Sequence, residues 1–385
     1  MSDRLKISIL ATALGALLML AASLASAHQL PAKFTGFEDP ATCEPCHKAI
    51  YDEWKGSMHA NSSKLSDPVH GAVHEAFVKA MKAKGAQAGY FCGSCHMPTA
   101  DNLSALMKGE AAPDAANPTN ARGVTCSFCH KVDSLVEGER FNTYKVTEGI
   151  KGATEKSAAP HGEVRSEFVS SYQMCLGCHG ALMNGKGSVV CSMQEEGISD
   201  CLACHMKDVP GAPAEGSSRT THRAHLLPGG HDEATLKAGA KVELGVELGR
   251  LIVNLKNPNP HYFPSTNPMR VAYVKVEVFD AAGGLLYTNF VKDPSEDPKG
   301  MLVKLFKAGD KMGVPSWDAE GVGKDTRLAP NESRAIVYQL PERAAKAKVG
   351  LYYRFVPAMA IEKFNIPADG VVEKPRLVSE AEIAI

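Results

Sequence analysis

One five-residue pattern occurs five times in the chain: CEPCH at 43–47, CGSCH at 92–96, CSFCH at 126–130, CLGCH at 175–179 and CLACH at 201–205. Ten of the eleven cysteines are used this way. No other feature constrains the fold as tightly, because two thiols and an imidazole are specified together each time. A tetrahedral zinc site uses the CxxC pair but gives no reason to fix a histidine at the next position five times. A thioredoxin-like dithiol needs a βα unit for each copy, and five of those do not fit here. Covalent haem requires the whole pattern. Two thiols add across the vinyl groups of one porphyrin edge, and the adjacent histidine lies beneath the iron as proximal ligand. The reading is five covalently bound haem c groups. Their attachment residues are Cys43, Cys46, Cys92, Cys95, Cys126, Cys129, Cys175, Cys178, Cys201 and Cys204, with His47, His96, His130, His179 and His205 as proximal ligands.

Eleven cysteines would suggest disulfides in an exported protein, and the N-terminus does predict export. Arg4 and Lys6 precede an apolar run from Ile7 to Leu24 that ends in Ala25-Ser26-Ala27. That is a signal peptide over 1–27 with cleavage before His28; a retained anchor is the alternative. The expected location is periplasmic, with secreted or cell-surface placement also open. Removing the segment makes the formal charge about one unit more negative than the chain's −1. No basic excess remains, so nucleic acid is not an expected partner. Membrane contact is expected only through a partner.

Every cysteine, and every histidine but His261, lies before residue 232. This asymmetry divides the mature chain into a haem domain, 28–235, and a second domain, 236–385. The first is expected to be mostly short helices and irregular loops, with the cofactors supplying much of the core. Surface loops are expected at 108–123 and 207–220. The helix after the first motif places His47, Tyr51 and Trp54 on one face. In the second domain Leu251, Val253 and Leu255 alternate, as do Val274, Val276 and Val278, and "RAIVYQLP" and "VGLYYRFVP" repeat the pattern. An antiparallel β-sandwich, immunoglobulin-like, is predicted, with one short helix near 341–347.

Nine histidines remain outside the motifs: His28, His59, His70, His74, His161, His222, His225, His231 and His261. Each haem iron has a second axial position, so nine candidates permit bis-histidine ligation of all five, giving low-spin iron suited to electron transfer. Met97 and Met206 follow proximal histidines and read as packing residues. The leftover Cys191 reads as a small buried residue beside the last haem.

"CEPCHKAIYDEWKGSMHA", "GVTCSFCHKVD" and "CLACHM" resemble the multihaem cytochrome c family that includes the tetrahaem electron carrier of ammonia oxidisers. The likeness covers most of 40–235 and, weakly, the stretch around "NPHYFP"; five motifs and an added β domain depart from the carrier. The resemblance implies that His59, at the end of a W-x-x-S-x-H arrangement, is a distal ligand, usually to a different haem. Similarity and position together rank His59, His161, His231 and His261 as distal ligands, with His74 preferred to His70 as the fifth and His231 preferred to His222 and His225. His28 is expected to be disordered. His261 sits among Pro258, Pro260 and Pro264, which hold an imidazole out at low entropic cost, and Tyr262 and Phe263 could cover a porphyrin edge. Its segment resembles an H-x-F-P-T stretch of several multihaem cytochromes, with Pro260 replacing a glycine and Ser265 the threonine.

The function expected is electron transfer between redox partners, without catalysis and with self-association open. A reductase or oxidase of a small nitrogen or sulfur compound needs one open iron. The pentahaem nitrite reductases resemble the chain in haem count but carry lysine in place of one motif histidine. A third reading is a subunit of an extracellular cytochrome filament.

Overall fold

A computed structural model describes residues 28–31, 33–153, 159–193, 200–367 and 372–385. The expected signal segment 1–27 lies outside them. Among the described residues no helix is long and apolar enough to cross a membrane.

The motif-bearing part is built from short pieces. Helix α1 (Lys48–Lys55) follows the first motif directly. Helix α2 (Pro68–Ala83) is longer and goes beyond the sequence reading, although its start is written in the residues. Asp67 caps it by accepting from the Val69 and His70 amides, and Pro68 occupies the first turn, where its missing N–H costs nothing. Val69, Ala72 and Val73, at helical spacing, pack on the core of the strand region. Helix α3 (Leu103–Lys108) gathers Tyr90, Met97, Leu103, Leu106 and Met107 into a small core. After the third motif, β1 (Val132–Val136) and β2 (Thr143–Val146) pair antiparallel. Val132, Tyr144 and Val146 join Phe128 in another small core.

From residue 241 strands are the main regular elements among the described residues. β3 (Lys241–Glu247) and β4 (Arg250–Lys256) form a hairpin with a two-residue turn, in which Leu248 and Gly249 both have positive φ. That is the turn geometry whose twist matches the flanking strands. β5 (Val271–Phe279) is followed by β6 (Leu285–Thr288), β7 (Met301–Leu302), β8 (Lys304–Ala308), β9 (Gly321–Asp325), β10 (Ser333–Gln339), β11 (Lys346–Arg354) and β12 (Arg376–Ala384). One antiparallel sheet has the order β10-β4-β3; a second runs β6-β5-β11-β12, with β7 also on β5. A small third sheet carries β8 and β9. Leu251, Val253 and Leu255 of the first sheet share one core with Val274, Val276, Val278, Val349 and Leu351 of the second. A register slip of one residue would turn each of these rows to the other face, so the alternation fixes the pairing. The Val242 amide donates to Ser379 Oγ at 3.1 Å, joining β3 to β12.

The helix expected near 341–347 is not there. Arg343 adopts φ +64, the Ala345 amide donates to Phe279 O, and β11 begins at Lys346 because Ala347 and Val349 alternate into the core. The helix of this region is instead α4 (Ala358–Phe364). The two regions are closely joined. Phe77 of α2 packs on Trp317, and Trp317 on Phe364. Asn184 donates to Ser316 O and Ala319 O, and Thr266 Oγ1 donates to Ser192 O at 2.8 Å.

Candidate haem-binding sites

Each triplet forms one turn of helix. His47, His96, His179 and His205 donate their amides to the carbonyls of Cys43, Cys92, Cys175 and Cys201. Residues three apart on such a turn share a face, so both thiols point the same way with the imidazole beside them. The Cys43 thiol neighbours Cys126, Cys95 neighbours Cys178, and Cys175 neighbours Cys201. Cys129 lies within electrostatic reach of Cys175 and Cys178. The first triplet therefore adjoins the third, the third adjoins the fourth, and the fourth adjoins both the second and the fifth.

Four proximal imidazoles are anchored alike. Nδ1 of His47 donates to Pro213 O (2.7 Å), His96 to Ser62 O (3.1 Å), His130 to Lys151 O (2.6 Å) and His205 to Pro228 O (2.6 Å). A carbonyl only accepts, so Nδ1 carries the proton and Nε2 keeps its lone pair for a metal. Burial lowers the pKa of His96 to about 3 and holds those of His130 and His179 below the usual histidine value. These rings are neutral at neutral pH, as metal ligation requires.

Three of the five face a second imidazole. The centroids of His47 and His161 are 6.2 Å apart, those of His179 and His59 6.1 Å, and those of His130 and His225 6.4 Å. Two imidazoles bound to opposite sides of one metal ion stand about 6.3 Å apart, given metal–nitrogen bonds of about 2.0 Å. His161 and His225 also have Nδ1 committed, to Gly162 O (2.5 Å) and Arg223 O (2.7 Å). Burial lowers the pKa values of His59 and His225 to about 4. His59 is fixed through its backbone, since its carbonyl accepts from Val124 N at 2.8 Å. Each pair thus has the spacing of two imidazoles on one haem iron.

His261 lies within electrostatic reach of His205; its Nδ1 donates to Tyr262 O (3.2 Å), and burial depresses its pKa. Its loop is held from two sides. Asn257 donates to His261 O, and the Arg327 guanidinium lies 4.1 Å from the Tyr262 ring centroid while donating to Ser265 O.

His96 has a different neighbour. His70 stands only 4.2 Å away, and both rings donate Nδ1 to the same Ser62 carbonyl, so His70 lies beside His96 rather than across a metal from it. The Tyr90 hydroxyl is 3.4 Å from His70 Nε2. Among the described residues no ring faces His96 at the spacing of the other three pairs.

The sequence ranking of the remaining histidines meets this geometry unevenly. His74 accepts from Lys64 Nζ at Nδ1 (3.2 Å), which leaves the proton on its buried, unbonded Nε2. His231 packs on Phe355 with centroids 4.1 Å apart, and it is His225 that lies opposite His130. Both nitrogens of His222 face acceptors, Gly211 O and Glu53, so it has no lone pair to offer. Hydrogen-bond partners distinguish these three histidines, and sequence spacing carries no such signal. His28, expected to be disordered, is ordered: its Nε2 donates to Ser94 O (2.9 Å) and its ring packs on Phe128. Met97 is buried as expected, whereas Cys191 is half-buried beside Thr266.

The family described as cytochrome c554 and c-prime matches residues 42–131, which contain the first three triplets. This is narrower than the likeness over 40–235 read from the sequence. No curated protein matches the chain. Among solved structures, the penta-haem cytochrome c552 from Thermochromatium tepidum is similar, with a TM-score of 0.74 and 24% identity over 90% of this chain and 99% of that one. The fold is shared across both regions. Two others align with little superposition: a hypothetical protein from Pyrococcus horikoshii OT3 (TM-score 0.16, 11% identity, 38% of this chain and 86% of that one) and a superoxide reductase in the oxidised state (0.18, 9%, 37% and 84%). Triplets, the family match over the first three of them and the shared fold all resemble those of multihaem c-type cytochromes.

Proposed function

We propose that this chain is an exported electron carrier with five covalent haem c groups, at least four of them ligated by two histidines. The observation that carries the reading is one repeated spacing, an imidazole facing a proximal histidine at 6.1–6.4 Å in three sites. The ligand pairs are His47 with His161, His179 with His59, His130 with His225 and, from their electrostatic contact, His205 with His261. His225 thus takes the role that sequence ranking gave to His231, and His74 takes none. The bound haems supply one-electron chemistry at low potential. The chain's own residues hold six of these eight imidazoles in one tautomer and set the order of neighbours. Haems held there would offer electrons a route along the first, third, fourth and fifth sites, with the second as a branch from the fourth.

On this reading residues 1–27 direct the protein to the periplasm, 28–235 form the cytochrome domain, and 236–385 form an antiparallel sandwich of two sheets with an immunoglobulin-like outline. The partners are other redox proteins, with self-association second; nucleic acid has no role, and a membrane is met only through a partner. The test is the mass of the denatured exported protein, expected to exceed the processed polypeptide by five haems. Electron paramagnetic resonance of His161→Gly, His59→Gly and His225→Gly should then show one haem turning high-spin in each. Fewer haems, or ligand variants that remain fully low-spin, would refute the assignment.

One observation supports a second reading. His96 faces no imidazole at metal-spanning distance among the described residues, and an iron held by His96 would on that geometry have room for a small nitrogen or sulfur compound. A stoichiometric high-spin signal in the unsubstituted protein, perturbed by nitrite, hydroxylamine or sulfite, would move the protein from carrier to enzyme.

A further inference from the structure

Helix α1 carries the first triplet's histidine into the fold, yet its last turn reaches the third site. The Trp54 indole N–H donates to Val124 O (2.8 Å), on the segment that leads into the Cys126 turn. One residue earlier, the Glu53 carboxylate reaches the opposite side of that site. Its Oε2 accepts from the His225 amide at 2.7 Å, and its Oε1 lies 3.2 Å from His222 Nε2. His222 is 3% exposed and sits in the two-stranded ribbon Asp208–Pro210/Thr221–Arg223, opposite Val209. Its Nδ1 bonds Gly211 O (2.9 Å). Gly211 has φ +128, and a Cβ there would lie 3.2 Å from His222 Cε1, so glycine admits the ring. The buried ring is thus held from both ends, by Gly211 O and by the Glu53 carboxyl group.

We infer that Glu53 is a positioning residue for His225. Together with the buried His222 it forms a clamp through which the helix of the first site holds the second axial ligand of the third. The inference rests on the assignment of His225 as that ligand. The two carboxylate oxygens act on different groups. One fixes the backbone that carries His225, and the other holds the His222 ring that the ribbon buries. The His225 side chain is then aimed by a single remaining bond, Nδ1 to Arg223 O, with Nε2 towards His130. Truncating Glu53 frees the His225 amide and leaves the buried His222 Nε2 without its partner, so the 221–225 segment loses its fixed distance from α1.

The experiment uses the full holoprotein and follows spin state. Glu53→Ala is expected to convert up to one of the proposed five haems to high spin, and added imidazole should restore the low-spin spectrum by filling the vacated position. Glu53→Gln, whose amide oxygen still accepts from His225 N and whose NH2 still reaches His222 Nε2, should remain low-spin. General loosening of the fold would give neither the restoration nor the difference between the two variants. His225→Gly is the reference and should give the same imidazole-reversible conversion. If His225→Gly converts one haem while Glu53→Ala converts none, the clamp is refuted and the ligand assignment stands. If His225→Gly itself leaves every haem low-spin, the assignment and the clamp fall together. Should Glu53→Ala not mature, Glu53→Asp, shortened by one methylene, serves instead: partial reversible conversion supports the clamp, and an unchanged spectrum overturns it.

Discussion

The two regions reach stability by different means. From residue 241 a single apolar core runs through both large sheets, with Leu251, Val253, Leu255, Val276, Val278 and Leu351 all fully buried. The motif-bearing region has only small separate cores, one around Tyr90, Met97 and Leu106 and one around Phe128, Val132 and Tyr144. A chain of that size with so little apolar packing needs another source of cohesion. The difference teaches that a cofactor-rich domain can leave its centre to the cofactors, and that its side chains then specialise in aiming ligands.

The largest effect should come from withholding haem. In protein expressed without haem attachment, the motif region is expected to lose amide protection throughout, while β4, β5 and β11 stay protected from hydrogen exchange. Equal loss in both regions would erase the contrast. Next in size is Leu255→Ala, at a fully buried position of β4. It should destabilise the strand region by about 2–5 kcal/mol in denaturant unfolding and leave the visible spectrum unchanged. His261→Ala probes the junction. One haem should turn high-spin and shift in potential, yet the regions should stay docked in small-angle scattering, because the Thr266–Ser192 and Asn184 bonds and the Phe77–Trp317 contact remain.

The smallest effect is a pH dependence. Burial, aided by the Lys64 ammonium, lowers the His74 pKa to about 4. A histidine lowered in the folded state contributes stability that is complete above the unfolded value of about 6.5 and is lost as pH falls towards 4. His74→Gln should therefore flatten the stability profile between these limits by roughly 1–2 kcal/mol, after solvent screening, without altering any haem spectrum. A spin-state change in this variant would return His74 to the candidate ligands.

The helical turns at the five triplets were legible because one C-x-x-C-H spacing recurs five times. Strand alternation was equally plain at Leu251 to Leu255, where one face is buried and the other is not. Helix α2 was also written in the sequence, in Asp67-Pro68 and the Val69, Ala72, Val73 stripe, but its apolar face finds its partner in the strand region, far along the chain. The second ligands were only partly legible. Nothing in "THRAHLLPGGHD" tells His222, His225 and His231 apart. Glu53 and Phe355, which occupy two of them, come from residues distant in sequence. The absence of a helix near 341–347 follows from register, since β11 draws Ala347 inward against β5.

The three facing histidine pairs also have a topology. On the proposed ligation each iron ties together residues roughly a hundred positions apart, a cross-link worth about 4–5 kcal/mol in chain-entropy terms if it behaves as a disulfide does. The three closures interleave. His59 lies inside the loop from His47 to His161, and His130 lies inside both that loop and the one from His59 to His179. No single-haem module can therefore be excised or permuted out of this region. A chain break anywhere between His130 and His161 would open all three loops at once, whereas loss of any one iron would leave two others still spanning the same stretch.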